Sequence, residues 1–384
     1  MQKIIVSVTN DLTTDQRVDK VCNSLVQLGF NVLLVGRKLP NSIPLKRNYR
    51  IHRIKLLFNK GFLFYAEYNF RLFWYLFFKN KTILLSNDLD TLLPNFIISK
   101  IQNKKLVYDS HELFTEVPEL VNRPKIQKFW LTIEKRILPK LKNTYTVCQS
   151  IADYYNDKYH TDFKVVRNIP VYIEKNQESI DKKQEVLIPN PKPQTSNLKL
   201  DTKDQRSKTI IYQGAINLGR GLELIIDTMN YLDNCSLLIV GGGDISSEIK
   251  KQIDKNNLNE RVFMIGKKTP SELKKITPTA NLGISIEEDL GLNYRFALPN
   301  KLFDYIHADI PVLVSDLPEM KRIVLDYQIG EVVIERNPKA LAKQIKYFLQ
   351  KDQSNIKKNL KKAALELQWK NEEKVLKNIF NDLK

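Results

Sequence analysis

The chain has 384 residues, too many for one comfortable core and enough for two domains of ordinary size. Apolar residues make up 42% and charged residues 27%, which excludes a collagen-like or wholly disordered chain. Lys and Arg number 61 against 43 Asp and Glu, a net charge of +18 that points to an anionic partner: a nucleotide, a nucleic acid or an acidic membrane surface.

Cys22, Cys148 and Cys235 form no CxxC pair, and no two of His52, His111, His160 and His307 stand at metal-ligand spacing, which argues against a disulfide framework and a structural zinc. The first apolar run, 4–8, is too short for the core of a signal peptide. The most apolar stretch, 62–78, is interrupted by Glu67, Asn69 and Arg71 and falls short of the ~20 apolar residues of a spanning helix. The expected location is cytoplasmic.

In chain order, strands are predicted over 3–8, 31–36, 49–55, 82–86, 105–109 and 145–148, and helices over 14–28, 63–78, 92–102 and 126–141. Strand and helix taking turns is the pattern of a parallel, doubly wound sheet. From 174 to 208 the chain turns to Lys, Gln, Asp, Asn and Pro, with Pro189, Pro191 and Pro193 close together, and reads as a linker or surface insertion. Alternation then resumes, with strands over 209–212, 236–240, 261–265, 282–286 and 311–315 and helices over 222–232, 246–255, 271–276 and 299–306. The remainder, 338–384, reads as helical. Its Leu365, Trp369, Leu376, Ile379, Phe380 and Leu383 recur at helical spacing, a stripe that needs a partner, for which the first domain is the candidate. The expected fold is α/β: two Rossmann-like doubly wound domains, 1–170 and 209–350, joined by 171–208, with C-terminal helices over 351–384.

Ten of thirteen glycines fall in the second repeat of this pattern, several just after predicted strands. In open parallel sheets ligands bind beyond the carboxyl ends of strands, where glycine lets backbone N–H groups approach a phosphate. The second domain is therefore expected to hold a nucleotide. Its segment Leu298-Pro299-Asn300-Lys301-Leu302-Phe303-Asp304 opens a helix whose positive end suits an anion, and Asp304, one turn past Asn300, suits the two hydroxyls of a ribose. The run from Tyr212 to Gly221 places a strand, a turn and Arg220 at a helix start, where it suits a diphosphate. Gly241-Gly242-Gly243 forms a second tight turn.

On these segments, with Val6-Ser7-Val8-Thr9-Asn10-Asp11, Tyr108-Asp109-Ser110-His111-Glu112 and Val165-Val166-Arg167-Asn168-Ile169-Pro170, the chain resembles the GT-B glycosyltransferases of the retaining family 4, or group 1, type. The resemblance implies transfer of a sugar from a nucleotide-sugar donor, with retention and without a metal or other cofactor, in a cleft between the domains. With the excess basic charge in the first domain, the expected acceptor is a saccharide or lipid-linked one of bacterial surface polysaccharide synthesis, met on the inner face of the cell membrane. By the same resemblance His111 is the catalytic-side residue facing the donor sugar, and Gly214, Arg220, Gly242, Glu288, Leu298, Asn300, Lys301 and Asp304 bind the donor. Asn10, Asp11, Thr14, Asp15 and Arg17 fall in a loop that approaches the reaction centre, with no individual role. Two departures stand out. The family's Gly-Arg is Gly214-Ala215 here, with Lys301 the candidate to replace the lost phosphate contact. The first of its two glutamates is Phe296, for which Glu287 or Glu288 is the candidate replacement. The alternatives are a non-catalytic relative acting as a binding partner and a sugar-nucleotide epimerase.

Asp88-Leu89-Asp90 after a strand matches the Asp-x-Asp by which the other glycosyltransferase fold binds a divalent ion, although capping of the next helix is the commoner role for Asp there. Residues 32–81 hold eleven basic residues against one acid, Glu67, interleaved with aromatics. Such a stretch suits an anionic membrane surface; the competing reading makes the aromatics core and Glu67 and Arg71 a surface pair. No nucleic-acid-binding motif accompanies it, so no nucleic-acid partner is expected.

Overall fold

The computed structural model describes residues 1–13, 15–172 and 208–383. Thr14 and most of the expected linker 171–208, its prolines included, lie outside them. In chain order the elements are β1 (Lys3–Ser7), α1 (Gln16–Gln27), β2 (Asn31–Lys38), β3 (Arg50–Lys55), α2 (Gly61–Phe78), β4 (Ile83–Asn87), α3 (Leu89–Ile101), β5 (Lys105–Ser110), α4 (Pro118–Val121), α5 (Pro124–Ile137), β6 (Asn143–Thr146), α6 (Gln149–Tyr159) and β7 (Phe163–Val165). They continue with β8 (Lys208–Ala215), α7 (Leu222–Met229), β9 (Cys235–Gly242), α8 (Ser246–Lys255), β10 (Val262–Met264), α9 (Pro270–Ile276), β11 (Leu282–Ser285), α10 (Leu292–Arg295), α11 (Asn300–His307), β12 (Val312–Val314), α12 (Pro318–Tyr327), β13 (Gly330–Val332), α13 (Pro338–Gln350), α14 (Ser354–Glu366) and α15 (Trp369–Asn381).

Two compact units result, one of residues 1–168, 291–296 and 369–384, the other of 169–290 and 297–368. The first holds a parallel seven-stranded sheet in the order β3-β2-β1-β4-β5-β6-β7. The second holds a parallel six-stranded sheet in the order β10-β9-β8-β11-β12-β13. Each order reverses once, between β1 and β4 and between β8 and β11, and the carboxyl ends flanking such a reversal are where doubly wound sheets bind ligands. The strands next to each reversal are apolar on both faces: Ile4, Ile5 and Val6 in β1, and Ile210, Ile211 and Tyr212 in β8, are all buried, because helices cover both sides.

The segment 351–384 divides. Leu360, Ala363 and Ala364 of α14 pack into the core of the second unit, whereas Trp369, Leu376 and Phe380 of α15 join Val18, Val21 and Leu25 of α1 in the core of the first. Trp369 Nε1 donates to Ser24 Oγ over 3.0 Å. Leu365, counted in the expected stripe, is 51% exposed instead. Gly291 falls in the first unit, not the second.

Element boundaries shift where caps intervene. Asp15 accepts from the backbone of Val18, so α1 begins at Gln16, and Pro299 takes the cap position of α11 rather than its first turn. The sequence pattern missed α4, α6, β7, α10, α12 and β13: α4 and α10 have four residues each and the two strands three, and α6 sets exposed Asp153 and Asp157 between its buried Ile151, Ala152, Tyr155 and Tyr159.

Candidate functional site

In the second unit a polar cluster forms where β8 and β11 end and α11 begins. Lys301 Nζ lies 2.7 Å from Glu287 Oε1, both side chains are buried, and the ammonium sits 4.0 Å from the centre of the Tyr212 ring. Burial alone pushes the Glu287 carboxyl up, but Lys301 and the Ser285 hydroxyl, which donates over 2.8 Å, outweigh it and hold the group ionised. Asp304, one turn along α11, accepts from Gln213 Nε2 at 2.8 Å. Thr277 Oγ1 donates to Gln213 Oε1 at 2.8 Å, which fixes the orientation of that buried amide and aims its N–H at Asp304.

Arg220, half-buried, is close enough to Lys301 to repel its charge. Its loop is set by Gly221, whose φ is +75° and where an added Cβ would stand 2.2 Å from the Ile286 carbonyl oxygen. Only glycine allows that approach. The Gly219 carbonyl meanwhile accepts from the Glu288 backbone at 2.9 Å, tying the loop to the end of β11. At Gly241 a Cβ would stand 1.8 Å from the Gly214 carbonyl oxygen, so the ends of β8 and β9 likewise need a bare backbone there. No side chain caps the start of α11, and Asn300 is exposed there. The cluster thus offers an uncapped helix end, a guanidinium and an oriented carboxylate, the groups that a diphosphate and a diol call for.

In the first unit His111 follows β5 and touches two carboxylates: Nδ1 is 3.2 Å from Asp88 and Nε2 is 3.1 Å from Asp109. Burial lowers the imidazole pKa, but Asp88 and Asp109 together raise it to about 9, so the ring is cationic at neutral pH. Asp109 is itself held by Arg17, with Nη2 at 2.7 Å and Nε at 3.0 Å, while Arg17 Nη1 donates to the Val166 carbonyl. Burial pushes Asp90 and Glu112 up to about 7. Asp90 accepts from Thr9 Oγ1 at 2.6 Å, and Glu112 from Asn293 Nδ2 at 3.3 Å.

A family model of group 1 glycosyl transferases matches residues 195–367, and a model of glycosyltransferase family 4 matches 15–173. The chain belongs to the group 1 glycosyltransferases. Its fold is the GT-B arrangement of two Rossmann-like domains. Among solved structures this glycosyltransferase is similar to sucrose-phosphate synthase from Thermosynechococcus elongatus, with a TM-score of 0.76 at 17% identity over 100% of this chain and 99% of that one. A glycosyltransferase from Rickettsia africae gives 0.71 at 13%, over 100% and 98%. HepE from Anabaena, solved in complex with UDP-glucose, gives 0.71 at 11%, over all of both chains. No curated protein matches the chain by sequence.

Of the donor-binding residues expected in this glycosyltransferase, Gly214, Arg220, Lys301 and Asp304 come together around Gln213 and Tyr212. Leu298 packs on the adjoining core. Gly242 ends β9 beside the side chain of Lys267, and Glu288 lies 3.9 Å from Arg336. Glu287, the candidate replacement for the glutamate absent at Phe296, is buried and paired with Lys301. Phe296 belongs to the first unit, where its carbonyl accepts from the Cys148 thiol at 3.3 Å. The expected capping by Asp88 and Asp90 is not made, since Asp88 turns to the backbone and ring of His111 and Asp90 to Thr9. Among the described residues no group of three or more His, Cys, Asp or Glu is placed to hold a metal ion. Arg17, assigned no role, is a buried strut between α1 and β5. Tyr212 and Gln213, which open the run to Gly221, carried no individual role, and Arg336 went unnoticed. Only Gln213, a polar residue inside an apolar strand, carried a signal.

Proposed function

We propose that this glycosyltransferase takes a nucleoside-diphosphate sugar as substrate and passes the sugar, with retained configuration and without a metal, to a saccharide or lipid-linked acceptor of surface polysaccharide synthesis, on the cytoplasmic side of a bacterial membrane. The observation that carries the donor part is the cluster of Arg220, Lys301 and Asp304 at the carboxyl ends of β8 and β11. In this reading Asp304, aimed by Gln213, accepts from the ribose hydroxyls, and Arg220 and the start of α11 meet the diphosphate. Leaving-group charge grows in the transition state, so those donors stabilise it more than the ground state. Lys301 lends part of its charge while held by Glu287, and Gly214 and Gly242 keep the floor of the site clear of side chains. Asn300 and Leu298 border the helix start, and Glu288 lies beside the Arg220 loop. His111, cationic, acts on the donor sugar as a hydrogen-bond donor rather than as a base. HepE, solved with UDP-glucose and with UDP, supports a nucleotide-sugar donor.

A panel of nucleotide sugars read by thermal shift tests this directly, since a donor at ~100-fold over its Kd stabilises a fold by about 2.7 kcal/mol. At least one donor is expected to shift wild-type melting and to lose that effect in Arg220→Ala. A panel without any response sinks the reading. Proton NMR of the product then gives the anomeric configuration, and a changed sugar formed without acceptor identifies an epimerase.

A further inference from the structure

Helix α2 is apolar around most of its circumference. Phe64, Tyr68, Leu72 and Leu76, four residues apart, are buried against the sheet of the first unit. On another face Phe70, Trp74 and Phe78 repeat the same spacing and are 43 to 75% exposed. Their rings form a ridge, with Trp74 6.4 Å from Phe70 and 5.9 Å from Phe78 between centroids. A helix apolar on opposite sides is normally covered on both, and a continuous exposed aromatic ridge marks a surface that something covers.

The surroundings say what covers it. β3, the edge strand, runs beside α2, and an open groove of about 670 Å³ is lined by Arg53, Lys55, Arg71 and Lys79 together with Trp74 and Phe78. The one acid of residues 32–81, Glu67, is taken up by the backbone N–H groups of Leu57 and Phe58 and by Arg71 Nε. The face is thus aromatic and cationic with its single carboxylate already engaged. A second copy would set like charge against like. An anionic lipid surface supplies both an apolar layer for the rings and phosphates for the bases. With 18 residues α2 is about 27 Å long, and no helix among the described residues is long and apolar enough to cross a membrane, so it suits lying in the interface.

We propose that the first unit seats on an anionic phospholipid bilayer through α2, with Phe70, Trp74 and Phe78 at the boundary of the acyl chains and Lys55 and Lys79 on headgroup phosphates. This deepens the reading of a membrane-side acceptor and rests on it for its purpose. The test needs neither donor nor acceptor, so its failure leaves the sugar-transfer reading standing.

Full-length protein is sedimented with vesicles of phosphatidylglycerol and phosphatidylcholine in equal parts, and with phosphatidylcholine alone. Binding is expected to the anionic vesicles only, and to vanish in 1 M salt, where the Debye length falls to about 3 Å. Lys55→Gln with Lys79→Gln is expected to weaken it about 30-fold. Of the three tryptophans, Trp130 and Trp369 are 5% exposed, so a blue shift of emission on binding reports Trp74. Trp74→Phe abolishes that shift, and Phe70→Ser with Phe78→Ser weakens sedimentation while the circular dichroism melt persists. No sedimentation with anionic vesicles at low salt overturns the proposal. So does binding that leaves Trp74 emission unmoved, or a dimer in solution that buries Trp74.

Discussion

Lys301 and Glu287 form a buried ion pair at 2.7 Å, their side chains 7% and 0% exposed, across the junction of β11 and α11. Breaking such a pair from one side strands a charge and costs about 3–5 kcal/mol, whereas replacing both members by neutral groups costs far less. Lys301→Met is therefore expected to unfold at markedly lower urea than wild type, and Lys301→Met with Glu287→Gln to recover most of the loss. Additive losses would show that the two side chains do not depend on each other. A practical consequence follows for donor binding: Lys301→Ala confounds phosphate contact with stability, so Arg220→Ala, tested alone, is the cleaner probe.

Gln213 orients Asp304 while Thr277 orients Gln213. Replacing the amide by Leu keeps the volume but releases the carboxylate and orphans the Thr277 hydroxyl. Gln213→Leu is expected to raise the KM for the donor about tenfold, the loss of one hydrogen bond near 1.4 kcal/mol, with a smaller change in kcat. Gln213→Glu, which cannot donate to Asp304, behaves at least as badly. A kcat loss at unchanged KM would detach Gln213 from donor binding.

The alternation of apolar runs with helical periods shows both sheets because strands covered on both faces leave unbroken apolar stretches such as Ile4 to Val6. Ends of elements are hidden because they depend on caps, as at Asp15, or on three-residue strands, as at β13, where too few side chains carry a period. The aromatic stretch of α2 shows the limit well: it is apolar on both faces, so the sequence left core and surface readings open, and the fold divides it between them. At the candidate site Arg220 and Asp304 are legible from the glycines and the helix start around them. The pairing of Glu287 with Lys301 is not, because it joins residues fourteen apart whose side chains meet only once β11 and α11 pack.

His111 ties its charge to stability. Burial lowers its pKa, the charges of Asp88 and Asp109 more than offset that, and the folded value of about 9 stands above the ordinary 6.5. A raised histidine binds its proton more tightly when folded, so the contribution is complete below about pH 6.5 and is lost as pH rises through about 9. The unfolding free energy of wild type over His111→Gln is expected to be on the order of 2 kcal/mol at about pH 6 and to shrink by about pH 10. A difference that stays constant across that window would mean the ring is neutral in the folded protein.

Asp90 carries the opposite sign. Burial first and the nearby Asp88 charge second raise its carboxyl from 3.8 to about 7, against the hydrogen bond from Thr9 that lowers it. A raised carboxyl holds its proton in the folded state, so ionising it costs stability: nothing below about pH 4, a growing penalty up to about pH 7, and the full penalty beyond. Asp90→Asn removes the charge and keeps an oxygen for the Thr9 hydroxyl. It is expected to stabilise the protein by on the order of 2 kcal/mol at about pH 8, and by little at about pH 4.5, in urea unfolding followed by circular dichroism. Equal gains at both pH values would trace the effect to packing. A loss at pH 8 would mean that the ionised carboxylate is wanted where it stands.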